Sequence, residues 1–450
     1  VLPLPRHRIL AALFALALLV PARQGYAQGG TVVARKVHDF LNFPSTLKWS
    51  PDGRLFYLET FTGNIMVFTD TVSFYANQWG NIPVFNTVEH GLLGMAFHPL
   101  FPDSPYIYFY HTNPAPIFNR VVRMTDSSGV GTHYCVLFDS LAAGSESHEG
   151  GRLAFGPDGM LYVTVGDQGI SANSQDVTTP LGKILRLTTM GKPAPGNPFG
   201  LKNPVICYGS RNSYGICFDP LNGYGYFTEN GPDCDDELNF LQFGANYGWG
   251  PNDLCGSQPD GTMLPMWTVT PTIAPTGCCV YRGSFLYPYN GNIFFTSYNQ
   301  GNLWRCIPVP DEPDQASDVR PLVDFYEAAL DVCEGPQQDL WVSTVSGIWR
   351  VSLPVVGTDS RAAPVAAWRP GPSPFASHLM LAPRGGEHLR RVEVLDLTGR
   401  RVRSFDGPIP PTAEWDGRDE SGRALPAGVY LVRAETDAGP LTRSVVRLAR

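Results

Sequence analysis

An imidazole and a carboxylate stand at the two ends of "SHEGGRLAFGPDGMLYVTVGDQG": His148 before Gly150-Gly151-Arg152, and Asp167 in a Gly-Asp-Gln-Gly corner. Imidazole titrates near about 6.5, so at neutral pH it can take a proton from a hydroxyl; a neighbouring carboxylate would orient it and steady its cation. Each residue also has a simpler use, as a loop-capping His and as a turn Asp bonded to its own backbone. A second group, Asp233, Asp235 and Asp236 in "NGPDCDDELN", offers hard oxygens of the kind Ca²⁺ takes, or an ordinary solvated acidic turn.

What must position the first pair is a turn at Gly156-Pro157-Asp158-Gly159 and a strand through Leu161 to Val165. The same turn-then-strand pattern starts at Ser50, His98, Gly156, Asp219, Tyr289 and Gly335, at intervals of 46 to 70 residues. Six strand-rich copies at blade-like spacing predict an all-β chain: a six-bladed β-propeller with its longest insertions in blades three to five. Loops flanking the strands of one blade can both reach the central channel, so the nineteen-residue separation of His148 and Asp167 is no obstacle to their meeting. Ring closure requires the chain ends to share a blade, and the spacing pairs Thr31–Phe40 with Gly347–Leu353.

Composition agrees. Hydrophobic residues are 43% and charged residues 16%, enough to bury a large core; 47 Gly and 41 Pro suit many short strands and tight turns. A net charge of −8 argues against nucleic acid as a partner. The first 27 residues read as a signal peptide: a basic start at Arg6 to Arg8, an apolar run Ile9 to Val20, and small residues at Gly25-Tyr26-Ala27. The expected location is therefore secreted, cell-surface or periplasmic, with no membrane span after signal removal. Nine cysteines, all between Cys135 and Cys333, become disulfide candidates in that setting, and the odd count leaves at least one outside an internal pair. Residues 28–356 would form the propeller and 357–374 a linker rich in Pro and Ala. Residues 375–450 would form a small immunoglobulin-like β-sandwich.

Five segments in series resemble the glucose/sorbosone dehydrogenase family of soluble quinoprotein sugar dehydrogenases. They are "EHGLLGMAFHPLF", "HEGGRLAFGPDGMLYVTVGDQG", "LGKILRL", "YGSRNSYGICFDP", and "TENGPDCDDELN" with "GANYGWG". The resemblance implies a secreted oxidoreductase that uses pyrroloquinoline quinone (PQQ) and calcium on an aldose sugar. It makes His148 the catalytic base, Asp167 the carboxylate that orients it, and Arg211 with Asn212 the pair that polarises the quinone carbonyl. Glu89 would line the cofactor channel. The carbonyls of Gly231 and Pro232 would face the calcium that holds the cofactor; Glu237 and the Tyr247 carbonyl would serve a second calcium. A Cys207–Cys217 bridge would stiffen the Arg211 loop. The tail resembles the immunoglobulin-like, hook-capping-type domains that sort or anchor exported proteins, implying a cell-surface or secretion-machinery partner.

The pattern breaks at the cofactor's carboxylates. Where the family has a Lys and two Args for three carboxylates, this chain has Asn299, Ala328 and Leu330. Arg305, Arg282 or Lys183 would have to compensate. Two readings stand side by side: a quinone-dependent sugar dehydrogenase, and a non-catalytic carbohydrate- or protein-binding propeller that has lost the clamp.

Overall fold

The computed structural model describes residues 25–26, 32–69, 76–143, 147–353 and, with short gaps, 375–447. The signal-peptide segment, apart from Gly25–Tyr26, and the linker lie outside the described residues. The chain divides into two compact units at Pro354. No helix among the described residues is long and apolar enough to cross a membrane.

Among the described residues, six sheets form the first unit. Their innermost strands are Pro44–Trp49, Leu92–Phe97, Gly150–Phe155, Gly215–Phe218, Pro275–Val280 and Ala329–Glu334, and each touches the next around a closed ring. The six turn-then-strand repeats supply the second strand of each blade. Leu161–Val165 and Leu340–Thr344 are buried at every position, because both faces of a blade pack on neighbouring blades. The ring closes where the sequence predicts, with Val33–His38 antiparallel to Ile348–Ser352 from Val33↔Ser352 to His38↔Ile348.

The channel floor is polar. Arg152, on the inner strand of blade three, is 6% exposed. It donates from Nε to Tyr214 O (2.8 Å), from Nη2 to Leu330 O (2.9 Å) and from Nη1 to Thr46 Oγ1, so one guanidinium ties blade three to blades four, six and one. Asp331 lies 3.7 Å from both Arg152 and Lys48 and accepts the Leu47 N–H at 3.0 Å.

The second unit has a sheet in the order Arg401–Asp406, Leu389–Leu395, Gly428–Thr436, Gly439–Arg447, and a two-strand pair of Leu379–Met380 with Glu414–Trp415. Its core gathers around fully buried Trp415, with Leu379, Val392, Val394 and Val432.

Candidate functional site

The inner and second strands of blade three pair antiparallel, with Gly150 opposite Val165. The residues just before one strand and just after the other therefore emerge at the same end. His148 Nδ1 lies 2.6 Å from Asp167 Oδ1. The carboxylate accepts that Nδ1–H, which leaves the lone pair of a neutral imidazole on Nε2; no described residue bonds Nε2. Asp167 is 1% exposed and engaged at both oxygens: Oδ1 also accepts from Gly169 N (2.8 Å) and Oδ2 from Trp249 Nε1 (2.7 Å). Sequence reasoning missed Trp249, although "GANYGWG" contains it.

Gly166 makes this approach possible. A Cβ there would lie 1.8 Å from the His148 carbonyl oxygen. Gly166→Ala is expected to displace the His148 loop and break the His148–Asp167 bond while the propeller still folds; a variant structure that keeps the bond would contradict it.

Arg211 joins this group through its neighbours. The Asp167 N–H donates to Arg211 O (2.8 Å), and the guanidinium sits 5.5 Å from the Trp249 ring centre with Nη1 on Asn230 O at 3.0 Å. The loop is anchored below by Glu229, whose carboxylate accepts from Arg211 N (2.9 Å), Asn212 N, Ser210 Oγ (2.5 Å) and Ser213 Oγ (2.6 Å). Burial raises the Glu229 carboxyl, and those donors oppose it. Asn212 donates from Nδ2 to Glu89 Oε2 (3.1 Å) and accepts the Gly150 N–H at Oδ1 (3.1 Å). Glu89 Oε2 also accepts from His148 N (2.8 Å) and Tyr214 Oη (3.2 Å). The residues predicted for blades two, three and four thus form one connected network.

Glu89 and Asn212 line a cavity of about 310 Å³, with Phe43, Phe61, Tyr298 and Leu330 on its apolar walls. That is near the lower end of ligand-pocket volumes. Arg211 lines a separate, smaller cavity of about 30 Å³, shared with Gly231, Pro232, Glu237 and Tyr247. All four predicted calcium residues therefore come together, beside Glu229, Asp235 and Asp253. Burial pushes the Glu237 carboxyl up to about 8, and the nearby Glu229, Asp253 and Asp235 charges push the same way. A small hollow lined by the Glu229, Asp235, Glu237 and Asp253 carboxylates against one guanidinium, Arg211, carries the hard oxygen donors that a calcium ion takes. Adding Ca²⁺ should raise the propeller's Tm, since a hundredfold excess over Kd is worth about 2.7 kcal/mol. Glu237→Gln should abolish that rise; an equal rise in the variant would exclude this site.

The Cys207–Cys217 bridge that could have stiffened the Arg211 loop is not formed. Cys207 and Cys217 are free thiols packed in different hydrophobic clusters, so the strands that carry them direct them to different cores. The disulfide present is Cys234–Cys255, which ties the acidic segment to the loop beyond Trp249.

The compensating cations are overturned as well. Arg305 bonds Asn292 and lies over the Tyr289 ring at 4.9 Å; Arg282 pairs with Asp219 at 2.8 Å. Lys183 is fully buried and donates to the carbonyls of Asn173 (2.7 Å), Ser174 (2.9 Å) and Leu181 (2.8 Å), bracing the loop after Asp167. Burial lowers its ammonium to about 8. Asn299 is exposed, Ala328 is half-buried, and Leu330 is a buried apolar wall. Among the described residues the only cation lining the 310 Å³ cavity is Arg152, and its guanidinium is already engaged on protein oxygens and Asp331. The lining of this cavity does not fit three carboxylates.

Residues 41–348 match the glucose/sorbosone dehydrogenase family. Quinoprotein glucose dehydrogenase B of Acinetobacter calcoaceticus is 31% identical over 53% of this chain and 56% of its own length, so the match spans little more than half of that relative. The aldose sugar dehydrogenase YliI of Escherichia coli is 26% identical over 71% of this chain and 91% of its own. The PQQ-bound aldose sugar dehydrogenase of Streptomyces coelicolor aligns with a TM-score of 0.64 at 28% identity, over 73% of this chain and all of that one.

Proposed function

The chain belongs to the glucose/sorbosone dehydrogenase family, and from that premise we propose that it is an exported oxidoreductase acting on a hydroxyl of an aldose sugar. The 2.6 Å contact between His148 and Asp167 carries the reading, because it leaves Nε2 as a free base beside the channel network. His148 Nε2 takes the hydroxyl proton; Asp167, held by Trp249 and Gly169, keeps the ring in that tautomer and stabilises the imidazolium. Arg211 and Asn212 are fixed by Glu229 on the adjoining blade, so their polar groups are preorganised. A calcium facing the carbonyls of Gly231 and Pro232 would supply positive charge beside them, and Glu237 with the Tyr247 carbonyl would serve a second ion. The residues present do not meet the carboxylates of PQQ.

Export is supported by the basic and apolar start of the chain and by the Cys234–Cys255 bond, which suits an oxidising compartment. The second unit would then be an immunoglobulin-like sorting or anchoring module that contacts the cell surface or the secretion machinery.

The test is oxidation of simple aldoses by the purified chain with Ca²⁺ and an artificial redox dye. Turnover that disappears in His148→Ala is the expected result. Sugar binding without dye reduction under any acceptor would instead favour the carbohydrate-binding reading, to which the missing clamp cations point.

A further inference from the structure

We propose that the 310 Å³ channel cavity takes an uncharged, planar quinone as the electron acceptor, in place of a tricarboxylate one. This rests on the sugar-oxidation reading and adds the chemistry of the acceptor. The walls decide it. Phe43 and Phe61 have ring centres 4.9 Å apart, and Tyr298 lies 6.5 Å from Phe43, so one side of the cavity is aromatic. Val88, Leu93 and Leu330 extend it. Such a wall stacks on a flat neutral ring.

Charge points the same way. The cavity presents the Glu89 carboxylate, and the guanidinium of Arg152 is occupied by Tyr214 O, Leu330 O and Thr46. An anion with three carboxylates would have to leave water without gaining a free cation and would approach Glu89. A quinone carbonyl needs only a donor. Thr60 lines the cavity at 3% exposure, and its buried hydroxyl has no partner among the described residues.

The step balances without a further reagent. The sugar C–H bond breaks and its hydride passes to the quinone, while the hydroxyl proton passes to His148 Nε2 and the substrate carbon–oxygen bond becomes a carbonyl. The hydroquinone anion then takes the proton back from His148, leaving hydroquinone and regenerated base.

The experiment compares two acceptors on the full chain with Ca²⁺ and glucose: PQQ, and 2,3-dimethoxy-5-methyl-1,4-benzoquinone. Quinone absorbance, product formation and acceptor binding by equilibrium dialysis are followed. The expected result is glucose-dependent reduction of the benzoquinone, one equivalent per product, at least tenfold faster than with PQQ. Thr60→Val should raise the KM for the benzoquinone at least fivefold and leave the KM for glucose unchanged. The triple variant Asn299→Lys, Ala328→Arg, Leu330→Arg should bind PQQ at least a hundredfold more tightly than the parent. Micromolar binding of PQQ by the parent, with turnover that the benzoquinone does not support, would overturn the proposal. Absence of oxidation with the benzoquinone, PQQ and the artificial dye together would remove the sugar-oxidation reading, and this proposal with it.

Discussion

Under the proposed sugar oxidation, Asp167→Asn is expected to lower kcat by roughly 10³–10⁴-fold, the range in which a misoriented His–carboxylate base performs. The reason is a tautomer, not a lost charge alone. Asp167 Oδ1 accepts from both His148 Nδ1 (2.6 Å) and Gly169 N (2.8 Å), while Oδ2 accepts from Trp249 Nε1 (2.7 Å). An Asn must put its NH₂ toward one of these donors. Turned toward Trp249 and away from His148, it abuts an indole N–H that cannot accept, leaving a buried donor unmatched. Turned toward His148, it needs Nδ1 as an acceptor, which moves the ring proton to Nε2 and removes the base. Either arrangement leaves the side-chain volume almost unchanged, so the Tm should move by only a few degrees. Dye-coupled kinetics across pH 5–9 read the effect: kcat falls throughout, and the limb assigned to the base is lost. A loss smaller than tenfold, with the pH profile kept, would show that His148 does not act through this carboxylate.

How much of this was legible in the sequence follows from the distances involved. The His148–Asp167 contact could be expected because a single antiparallel hairpin returns the chain to its starting end, as Gly150↔Val165 shows. Ring closure was legible for a similar reason, since a propeller has one way to cover its last sheet. The four calcium candidates line one hollow, whereas the resemblance divides them between two ions. Trp249 was not legible as a partner of Asp167: it lies 82 positions away and arrives on a long insertion of blade four. The Cys234–Cys255 bond depends on the same insertion folding back, and nothing in the cysteine spacing distinguishes it from other pairings. Cys207 and Cys217 are close in sequence, but the strands that carry them belong to different blades. Closeness in sequence misleads there because a chain crossing between blades separates neighbouring residues into different cores. The missing clamp was readable at Asn299, Ala328 and Leu330. Only the fold showed that Arg282, Arg305 and Lys183 have other duties.

Arg152→Met should destabilise the propeller unit by about 3–5 kcal/mol, the usual cost of removing one partner of a buried charge pair. Arg152 is held by three oxygens from three other blades and lies 3.7 Å from Asp331, which is itself 2% exposed. Methionine matches much of the side-chain length and none of the donors. The carbonyls of Tyr214 and Leu330 then lose a partner, and the Asp331 carboxylate keeps only Lys48, at 3.7 Å, and its backbone donors. Arg320 gives the comparison: its pair with Asp318 has side chains 55% and 39% exposed, and Arg320→Met should cost less than about 1 kcal/mol. Urea unfolding of both variants, read as midpoint at constant slope, separates the two cases. Equal midpoints would mean that solvent or a shift of Lys48 fills the gap, and that blades three, four, six and one are not joined through this guanidinium. The result also bears on the acceptor, because the Leu330 carbonyl bound by Arg152 belongs to the residue whose side chain forms the cavity wall. If the floor loosens, selectivity between neutral and anionic quinones should narrow together with stability, since one group sets the position of that wall and leaves no cation free in the cavity.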